Sequence, residues 1–266
     1  MLRFSGTGET HVGLVRTGNE DSAFVGPTCL LVADGVGGGA AGEVASATAA
    51  YAVAATVLAA EADPAGTLTR AVEAAQVQVA AGVAADPSRA GMATTLTVVV
   101  TDGRTFVLAH LGDSRGYVFS RGALTRVTRD HTYVQDLLDE GRIGSLDAAQ
   151  HPWRNVVLRT VDGRDGAADL LTLHLAPGDR VLLASDGLTD LVGEDEIAEI
   201  LGRRGDDDAV AALVAAALSR GGRDNVTCVL GTVVDGPPIS ADGLLLGALR
   251  DPANVVDVAA VRSDSA

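Results

Sequence analysis

The sequence predicts an α+β fold: a four-layer α/β/β/α sandwich in which two antiparallel sheets are flanked by pairs of helices. Three observations support this prediction. Apolar runs typical of strands are grouped along the chain, helical segments follow one another in pairs, and Asp102-Gly103 joins two apolar runs as a tight hairpin turn. Grouped strands and grouped helices favour antiparallel sheets over a strictly alternating parallel sheet. The loops at one end of such a sandwich are free to form a site.

Short apolar runs bounded by turn-forming residues define the predicted strands. They cover residues 2–15 (with turns), 22–26, 29–33, 94–101, 105–111, 116–120, 169–175, 180–185 and 226–234. The second and third runs flank Pro27 and indicate a hairpin.

Two alanine-rich helices are predicted over residues 42–60 and 66–84, because Ala is the strongest helix former and neither segment contains an internal proline. Shorter helices are predicted over residues 132–140, 194–201 and 206–219. Residues 144–165 have no regular pattern and contain Pro152 and the only tryptophan, Trp153. We expect this segment to form a flap over a site.

Composition limits the class of protein. The chain has 266 residues, of which 47% are hydrophobic, and this is enough for a substantial core. Its formal net charge of -15 argues against nucleic acid as a partner. Both cysteines, Cys29 and Cys228, fall in predicted strands, as expected of buried apolar residues in a reducing compartment.

The organisation of the chain predicts one main domain with a tail. Residues 1–10 show no charged-then-apolar leader, and the most membrane-like run, residues 44–60, is mostly Ala interrupted by Ser and Thr. We therefore expect a cytoplasmic protein without a membrane partner. Residues 1–236 are predicted to form the main domain, and residues 237–266, which begin at a Pro-Pro pair, a partly ordered C-terminal appendage.

The stretch from Cys29 to Gly39 is the centre of the functional prediction. An apolar strand ends there in Asp34, and a dense glycine turn follows. A carboxylate at the mouth of a buried strand is costly unless a cation compensates it, and glycines let backbone carbonyls such as that of Gly35 approach a ligand. These features indicate a hard metal ion. Taken alone, the stretch is more typical of a common Asp-Gly turn.

The same pattern of an acidic residue at the edge of an apolar run recurs along the chain. The acids are Asp21, Asp34, Asp113, Asp186 and Asp224. Carboxylates gathered in one place repel one another unless they are protonated or bridged by cations. Ligation by oxygen alone favours Mg²⁺ or Mn²⁺ over Zn²⁺. Two such ions about 3.5–4 Å apart would share a carboxylate and activate a bridging water, which is hydrolytic chemistry. Arg16 could grip a phosphate with two hydrogen bonds.

With these residues in view, the chain resembles the metal-dependent protein phosphatases (PPM), the type 2C serine/threonine phosphatase family, particularly its compact bacterial members. The resemblance rests on segments that occur in the family's order over about residues 9–235. They are Val15-Arg16-Thr17-Gly18-Asn19-Glu20-Asp21, Ala33-Asp34-Gly35-Val36-Gly37-Gly38, Gly91-Met92-Ala93-Thr94-Thr95-Leu96, Gly112-Asp113-Ser114-Arg115, Arg129-Asp130-His131-Thr132, Ser185-Asp186-Gly187-Leu188 and Gly222-Arg223-Asp224-Asn225-Val226-Thr227.

The resemblance implies the family's α/β/β/α fold and a set of metal ligands within residues 1–236. Asp34 would bridge two ions and act in catalysis. Asp186 and Asp224 would complete the first ion, and the carbonyl of Gly35 would serve the second. Asp113, together with Asp186, would bind a third ion.

The resemblance also implies roles around the metals. Arg16 would be catalytic by holding the substrate phosphate. Glu20 and Asp21 would hold metal-bound waters, and Asn225 would support the ligands from behind. Residues 144–165 would be a variable flap that touches the phosphoprotein.

The implied activity is that of a protein-serine/threonine phosphatase, a phosphoric monoester hydrolase that uses a water activated by two Mn²⁺ or Mg²⁺ ions, with a third ion in addition. Expected partners are phosphoserine and phosphothreonine proteins of bacterial signalling, together with a serine/threonine kinase and its substrates. We expect a monomer.

Three alternatives stay open. The first is a regulatory phosphatase of the same fold with one dedicated partner, the second is a catalytically inactive phosphoprotein-binding module, and the third is a hydrolase of small phosphate esters. The sequence also departs from the family, because Val36 and Gly39 stand where some relatives carry a histidine discussed as a general acid. We therefore expect a metal-bound water to protonate the leaving group.

Overall fold

The computed structural model describes residues 1–36, 41–60, 63–164, 166–237 and 243–259. In chain order the strands are β1 Leu2–His11, β2 Asp21–Val25, β3 Cys29–Val36, β4 Ala93–Thr94, β5 Leu96–Thr101, β6 Phe106–Leu111, β7 Arg115–Ser120, β8 Ala123–Arg126, β9 Asp169–Leu173, β10 Arg180–Ala184, β11 Val226–Asp235 and β12 Leu244–Gly247. The α-helices are α1 Gly42–Ala59, α2 Pro64–Ala85, α3 Tyr133–Asp139, α4 Ser145–Ala149, α5 Asp186–Thr189, α6 Glu194–Arg203 and α7 Asp206–Ser219.

Two antiparallel sheets form the middle of the molecule. The first sheet has the strand order β1-β11-β10-β7-β8, and the second has the order β12-β2-β3-β5-β6-β9 with β4 paired to β3. Helices α1 and α2 pack on the outer face of the second sheet, and α6 and α7 pack on the outer face of the first. The predicted four-layer α/β/β/α sandwich is confirmed.

The layer between the sheets is filled by side chains that alternate with those facing the helices. Leu30 of β3 is fully buried there. It packs against the bare backbone of Gly231 on β11, where an added Cβ would lie 2.5 Å from the Leu30 Cδ1 atom. Glycine therefore lets the two sheets approach one another at this point.

Leu30→Ala is expected to lower the free energy of unfolding by about 3 kcal/mol, because it leaves a cavity between two sheets that cannot easily collapse. Urea unfolding followed by circular dichroism measures the change. Leu245→Ala on edge strand β12 is the matched control: this side chain is 43% exposed, so we expect a change within about 0.5 kcal/mol. A Leu30→Ala variant as stable as this control would contradict the packing described here.

Most of the predicted long elements agree closely with those observed, but the first strand, predicted over residues 2–15, ends at His11. Helix α2 begins two residues before the predicted start because the Asp63 side chain accepts a hydrogen bond from the Gly66 N–H, and Pro64 occupies the first turn. Strand β8 and helices α4 and α5 were not predicted; each has five residues or fewer, too few to show a periodicity.

The prediction that the third strand ends at Ala33 is wrong. Strand β3 continues through Asp34 to Val36. Gly35 and Val36 pair with Thr94 and Ala93 of β4, a distant part of the sequence, and this pairing extends the strand.

The C-terminal segment joins the second sheet in part. Strand β12 pairs with β2 in an antiparallel register, with Leu246 opposite Ala23. The carbonyl of Asn254 accepts a hydrogen bond from Thr48 of α1, and the hydroxyl of Tyr51 donates to the carbonyl of Val258. Residues 238–242 and 260–266 lie outside the described residues.

Helix α1 is the one described helix that is long and apolar enough to cross a membrane. Length and composition alone are weak support for a span, and 67% of this segment is buried inside the protein. Its environment is that of a helix in a protein core, packed between α2 and the second sheet.

Candidate metal centre

The acidic residues of the candidate site come together at one end of the sandwich because of the strand pairing. In the first sheet, Ala184 at the end of β10 pairs with Arg115 at the start of β7 and with Cys228 near the start of β11. The turns that carry Asp113, Asp186 and Asp224 therefore meet at this end. In the second sheet, Asp21 at the start of β2 lies directly opposite Asp34 of β3. Like charges in such cross-strand positions destabilise a sheet.

The raised pKa values of these carboxyl groups show that they interact. Shielding from water raises the pKa of Asp34 well above its ordinary value, and the charges of Asp21, Asp186 and Asp113 raise it further. The pKa of Asp186 is likewise raised well above its ordinary value by burial, then by Asp113 and Asp190. The structure thus brings the predicted acids into one electrostatic cluster.

Asp21 is the most deeply buried of these acids. Burial raises the pKa of its carboxyl to about 6, against the opposing effect of hydrogen bonds from Thr227 and Ser185. The Ser185 hydroxyl donates to Oδ2 at 2.8 Å, and the Thr227 N–H donates to Ser185 Oγ at 3.0 Å. The other oxygen of Asp21, Oδ1, has no hydrogen-bond partner among the described residues. A buried carboxylate oxygen without a donor is expensive, and a cation or an ordered water would satisfy it.

Asp113 occupies the turn between β6 and β7, where burial, followed by the charge of Asp130, raises its pKa to about 6. Asp130 itself accepts hydrogen bonds from the Arg115 guanidinium, with an Nη2–Oδ2 distance of 2.7 Å, and from Arg126. These two arginines hold Asp130 in place, close enough for its charge to act on Asp113.

Arg16 and Asp224 form an ion pair, with Nη2 of the arginine 2.7 Å from Oδ2 of the aspartate. This hydrogen bond is the main cause of the raised pKa of Arg16. Both side chains are partly exposed, so the pair contributes little to stability and can open. Arg16 therefore lies beside the acids Asp224, Glu20 and Asp34, whose charges act on it, and its binding of a phosphate stays a prediction.

Asn225 holds the loop between β1 and β2 in place. Its Oδ1 atom accepts from the Glu20 N–H at 2.8 Å, and its Nδ2 atom donates to the carbonyls of Val12 and Gly18 at 2.9 Å. All three bonds are to the backbone, so the amide fixes the loop before β2 against the start of β11.

Glu20 and Gly35 lie where β3 meets the start of α1. The Glu20 carbonyl accepts from the Gly35 N–H at 3.2 Å and from the Ser46 hydroxyl. Burial raises the pKa of the Glu20 carboxyl, and the charge of Glu43 adds to this effect. An added Cβ at Gly35 would collide with the backbone oxygens of Gly42 and Glu20, so only glycine fits at this position. Val36 ends β3, and Gly39 lies outside the described residues.

The donor set fits a divalent cation in its chemistry. It consists of oxygens, Asp21, Asp34 and Asp186 are shielded from water, their charges repel, and one buried oxygen has no partner among the described residues. Within the described ranges, however, no three His, Cys, Asp or Glu side chains are arranged so that they could hold an ion as placed. The Arg16–Asp224 pair supplies one reason: Asp224 is turned towards a guanidinium.

A family model described as protein phosphatase 2C matches residues 18–218, which include four of the five acids in the cluster and Asp21's partner Ser185. The four acids within this range are Asp21, Asp34, Asp113 and Asp186.

The chain belongs to the protein phosphatase 2C family.

Similar proteins place the chain among bacterial members. It is 40% identical over 253 residues to the serine/threonine protein phosphatase PstP of Mycobacterium tuberculosis, covering 94% of this chain and 48% of that protein. It is 34% identical over 235 residues to the serine/threonine phosphatase stp of Listeria monocytogenes, covering 83% of this chain and 92% of that protein. The chain thus spans about half the length of PstP.

The same fold is found in solved structures of this family. The catalytic domain of PstP, crystallised in complex with 2 manganese ions, superposes with a TM-score of 0.83 at 40% identity. The match covers 88% of this chain and 100% of that one. The family prediction made from the sequence is confirmed.

Several residues that shape the cluster were not predicted. Asp190 of the α5 region is one: burial raises its pKa, and its charge acts on Asp186. The feature of the sequence that could have identified Asp190 is its position four residues after Asp186, about one helical turn away. Ser185 and Asp130 lie in segments that resemble the family, but no role was predicted for either residue. Their partners, Asp21 and Arg115, are distant in the sequence or need the fold to be recognised.

Proposed function

We propose that this chain is a Mn²⁺- or Mg²⁺-dependent phosphatase that hydrolyses phosphoserine and phosphothreonine in proteins. The observation that carries the proposal is the cluster of mutually repelling, buried carboxylates at one end of a protein phosphatase 2C fold. Such a cluster is costly by itself and becomes favourable when cations bind. PstP with 2 manganese ions supports the choice of metal.

We assign the ligands as predicted from the sequence. Asp34, Asp186 and Asp224 with the Gly35 carbonyl would hold two ions, and Asp113 with Asp186 a third. Divalent ions bound there would activate a water as nucleophile and compensate charge on the phosphoryl oxygens.

The chain's own residues bind and orient the substrate. Arg16 would leave Asp224 and donate two hydrogen bonds to the phosphate, since planar guanidinium matches two phosphoryl oxygens. Asn225 holds the loops before β2 and β11 at a fixed distance. Asp21 in the cluster and Glu20 beside it would accept hydrogen bonds from ordered water. This arrangement acts by positioning and by electrostatics.

Steady-state kinetics would test the proposal. A phosphothreonine peptide and a nucleoside monophosphate are compared, each with and without Mn²⁺. Turnover of the peptide that requires Mn²⁺ and exceeds turnover of the nucleotide is expected. Preference for the nucleotide would indicate a hydrolase of small phosphate esters. No turnover of either substrate with Mn²⁺ present would indicate a phosphoprotein-binding module.

Arg16→Ala should raise KM for the phosphothreonine peptide about tenfold, with kcat changed less than about threefold. This result is expected when an interaction that stabilises the bound substrate and the transition state equally is lost. Arg16→Lys keeps the charge and loses the planar pair of donors, so its KM should lie between those of the wild type and the alanine variant. An unchanged KM in the alanine variant would remove Arg16 from phosphate binding.

We further propose that the protein acts in the cytoplasm as a monomer, opposite a serine/threonine kinase whose products are its substrates. Phosphoprotein substrates are supported by the similarity to PstP and stp, whose names describe serine/threonine phosphatases.

A further inference from the structure

Ser185 lies between the end of β10 and the start of α5, and its side chain does not cap that helix. A serine at the N-cap position usually accepts a hydrogen bond from a backbone N–H of the first helical turn. Ser185 occupies the N-cap position of α5, but its hydroxyl makes no such bond. The residue is fully buried, so its hydroxyl must find its partners elsewhere in the protein interior.

The Ser185 hydroxyl connects the two sheets. Its Oγ atom accepts a hydrogen bond from the Thr227 N–H at 3.0 Å and donates one to Oδ2 of Asp21 at 2.8 Å. Thr227 belongs to β11 in the first sheet, and Asp21 belongs to β2 in the second. An ionised carboxylate only accepts hydrogen bonds, so the single hydroxyl hydrogen of Ser185 is directed at Asp21.

Further hydrogen bonds close a ring around Asp21. The hydroxyl oxygens of Thr227 and Thr10 are 2.7 Å apart, and Asn19 Nδ2 donates to the Thr10 hydroxyl at 2.8 Å. The Asp21 N–H donates to Asn19 Oδ1 at 3.1 Å. The ring therefore fixes Asp21 twice, through its backbone N–H and, by way of Ser185, through one carboxylate oxygen.

The second carboxylate oxygen of Asp21 is left without a partner by this ring. Oδ1 is buried and has no hydrogen-bond partner among the described residues. If the ring served only to satisfy a buried carboxylate, both oxygens would be expected to accept hydrogen bonds, because an unpaired one is costly. Asp21 also lies directly opposite Asp34 in the sheet. The ring therefore fixes Oδ2 and keeps Oδ1 available beside the acids.

We propose that Ser185 is a positioning residue: its hydroxyl holds Oδ2 of Asp21 so that Oδ1 can accept hydrogen bonds from ordered water at the metal centre. This inference rests on the proposed function, in which Asp21 has that role. Residues that orient the surroundings of a metal without touching it typically change metal affinity or activity by about 10- to 100-fold when they are mutated.

Titration calorimetry of the metal-free chain with Mn²⁺ tests the proposal. Ser185→Ala should raise the Kd for Mn²⁺ by about tenfold. The Mn²⁺ concentration that gives half-maximal hydrolysis of p-nitrophenyl phosphate should rise by a similar factor, and excess Mn²⁺ should restore most of the rate. An alanine variant that binds Mn²⁺ with the Kd of the wild type would overturn the inference.

Two further variants separate the hydroxyl from the volume of the side chain. Ser185→Thr keeps the hydroxyl and should restore most of the affinity for Mn²⁺. Ser185→Cys keeps a side chain of similar shape, but its thiol is a weak donor, so its Kd should be raised as in the alanine variant. A cysteine variant with the Kd of the wild type would also overturn the inference, and it decides the matter if the alanine variant does not fold.

Thr101→Val is the matched control for the loss of a buried hydroxyl. The Thr101 hydroxyl accepts a hydrogen bond from the Gly103 N–H at 3.0 Å. It lies at the end of β5 that pairs near Cys29, away from Asp34. Its removal should lower Tm and leave the Kd for Mn²⁺ unchanged. A rise in Kd as large as that in Ser185→Ala would show a general effect of lost stability and would contradict a specific role of Ser185.

Calorimetry reports binding without turnover, so the two proposals can fail separately. A wild-type chain that binds Mn²⁺ but hydrolyses neither p-nitrophenyl phosphate nor a phosphothreonine peptide would contradict the proposed function, and the comparison of Kd values would still decide the role of Ser185. An active wild type together with an unchanged Kd in Ser185→Ala would overturn this inference alone. A wild-type chain that does not bind Mn²⁺ would overturn both.

Discussion

Asp186→Ala is expected to lower kcat/KM for a phosphothreonine peptide by at least about 10³-fold while the chain stays folded. A metal ion contributes several kcal/mol of transition-state stabilisation, and each 1.4 kcal/mol corresponds to about tenfold in rate. Asp186 is the acid shared by the first and third proposed ions. Burial and the charges of Asp113 and Asp190 disfavour its ionised form, so the metal-free chain loses nothing by its removal.

Two measurements distinguish the loss of metal binding from a loss of folding. Isothermal titration with Mn²⁺ should show the loss of at least one binding event in Asp186→Ala, and thermal unfolding of the metal-free variant should give a Tm equal to or above that of the wild type. Asp207→Ala removes an exposed acid from the first turn of α7 and should leave kcat/KM and Mn²⁺ binding unchanged. Activity of Asp186→Ala within tenfold of the wild type would exclude Asp186 as a metal ligand. Asp186→Asn, which keeps the shape of the side chain, guards against a folding defect.

The sequence predicted the layers of the fold because the long elements carry their own signals. Helix α7 was predicted to the residue, since an acidic first turn and an alanine-rich body mark both its ends. Strand β3 was predicted too short, because the pairing of Gly35 with Thr94 joins residues far apart in sequence. Pairing of this kind has no local pattern, and so the continuation past Asp34 could not be predicted.

The members of the acidic cluster could be predicted, and their present partners could not. Asp34, Asp113 and Asp186 each follow or precede an apolar run, so strand pairing was bound to bring them to a sheet end. The ion pair of Arg16 with Asp224 is different, because an arginine beside several acids can pair with any of them. Which acid pairs with Arg16 depends on side-chain geometry and on the charge of a bound ion.

The metal-free chain should become less stable as the pH rises from 6.5 to 8. Asp34 and Asp186 have pKa values raised well above those of the unfolded chain, so the folded state holds protons that the unfolded state has released. The stability they contribute is fully present below the unfolded pKa, near 3.9, and is lost as the pH rises through the folded pKa. Each proton that the folded state retains and the unfolded state has released lowers the free energy of unfolding by about 1.4 kcal/mol per pH unit, so we expect this free energy to fall across the range.

The pH range begins at 6.5 because at lower pH His110 changes the stability of the chain in the opposite direction. Burial lowers the pKa of His110 to about 4. A group with a depressed pKa loses stability as the pH falls, so His110 makes the chain more stable as the pH rises up to its unfolded pKa near 6.5. Asp21 and Asp113, whose pKa values are about 6, have lost most of their contribution by pH 7. Above pH 6.5 Asp34 and Asp186 contribute to the remaining slope, together with Glu20 and Asp190, whose pKa values burial also raises.

Urea unfolding in a chelating buffer at several pH values measures the slope, and Mn²⁺ should reverse it. Metal ions bind the deprotonated carboxylates and compete with protons, so the stabilisation by Mn²⁺ should increase with pH. Asp186→Asn removes one proton-holding group and should make the metal-free slope shallower. A metal-free chain that gains stability between pH 6.5 and 8 would show that the acids are ionised without a cation. The repulsion that makes this cluster a metal site would then be absent.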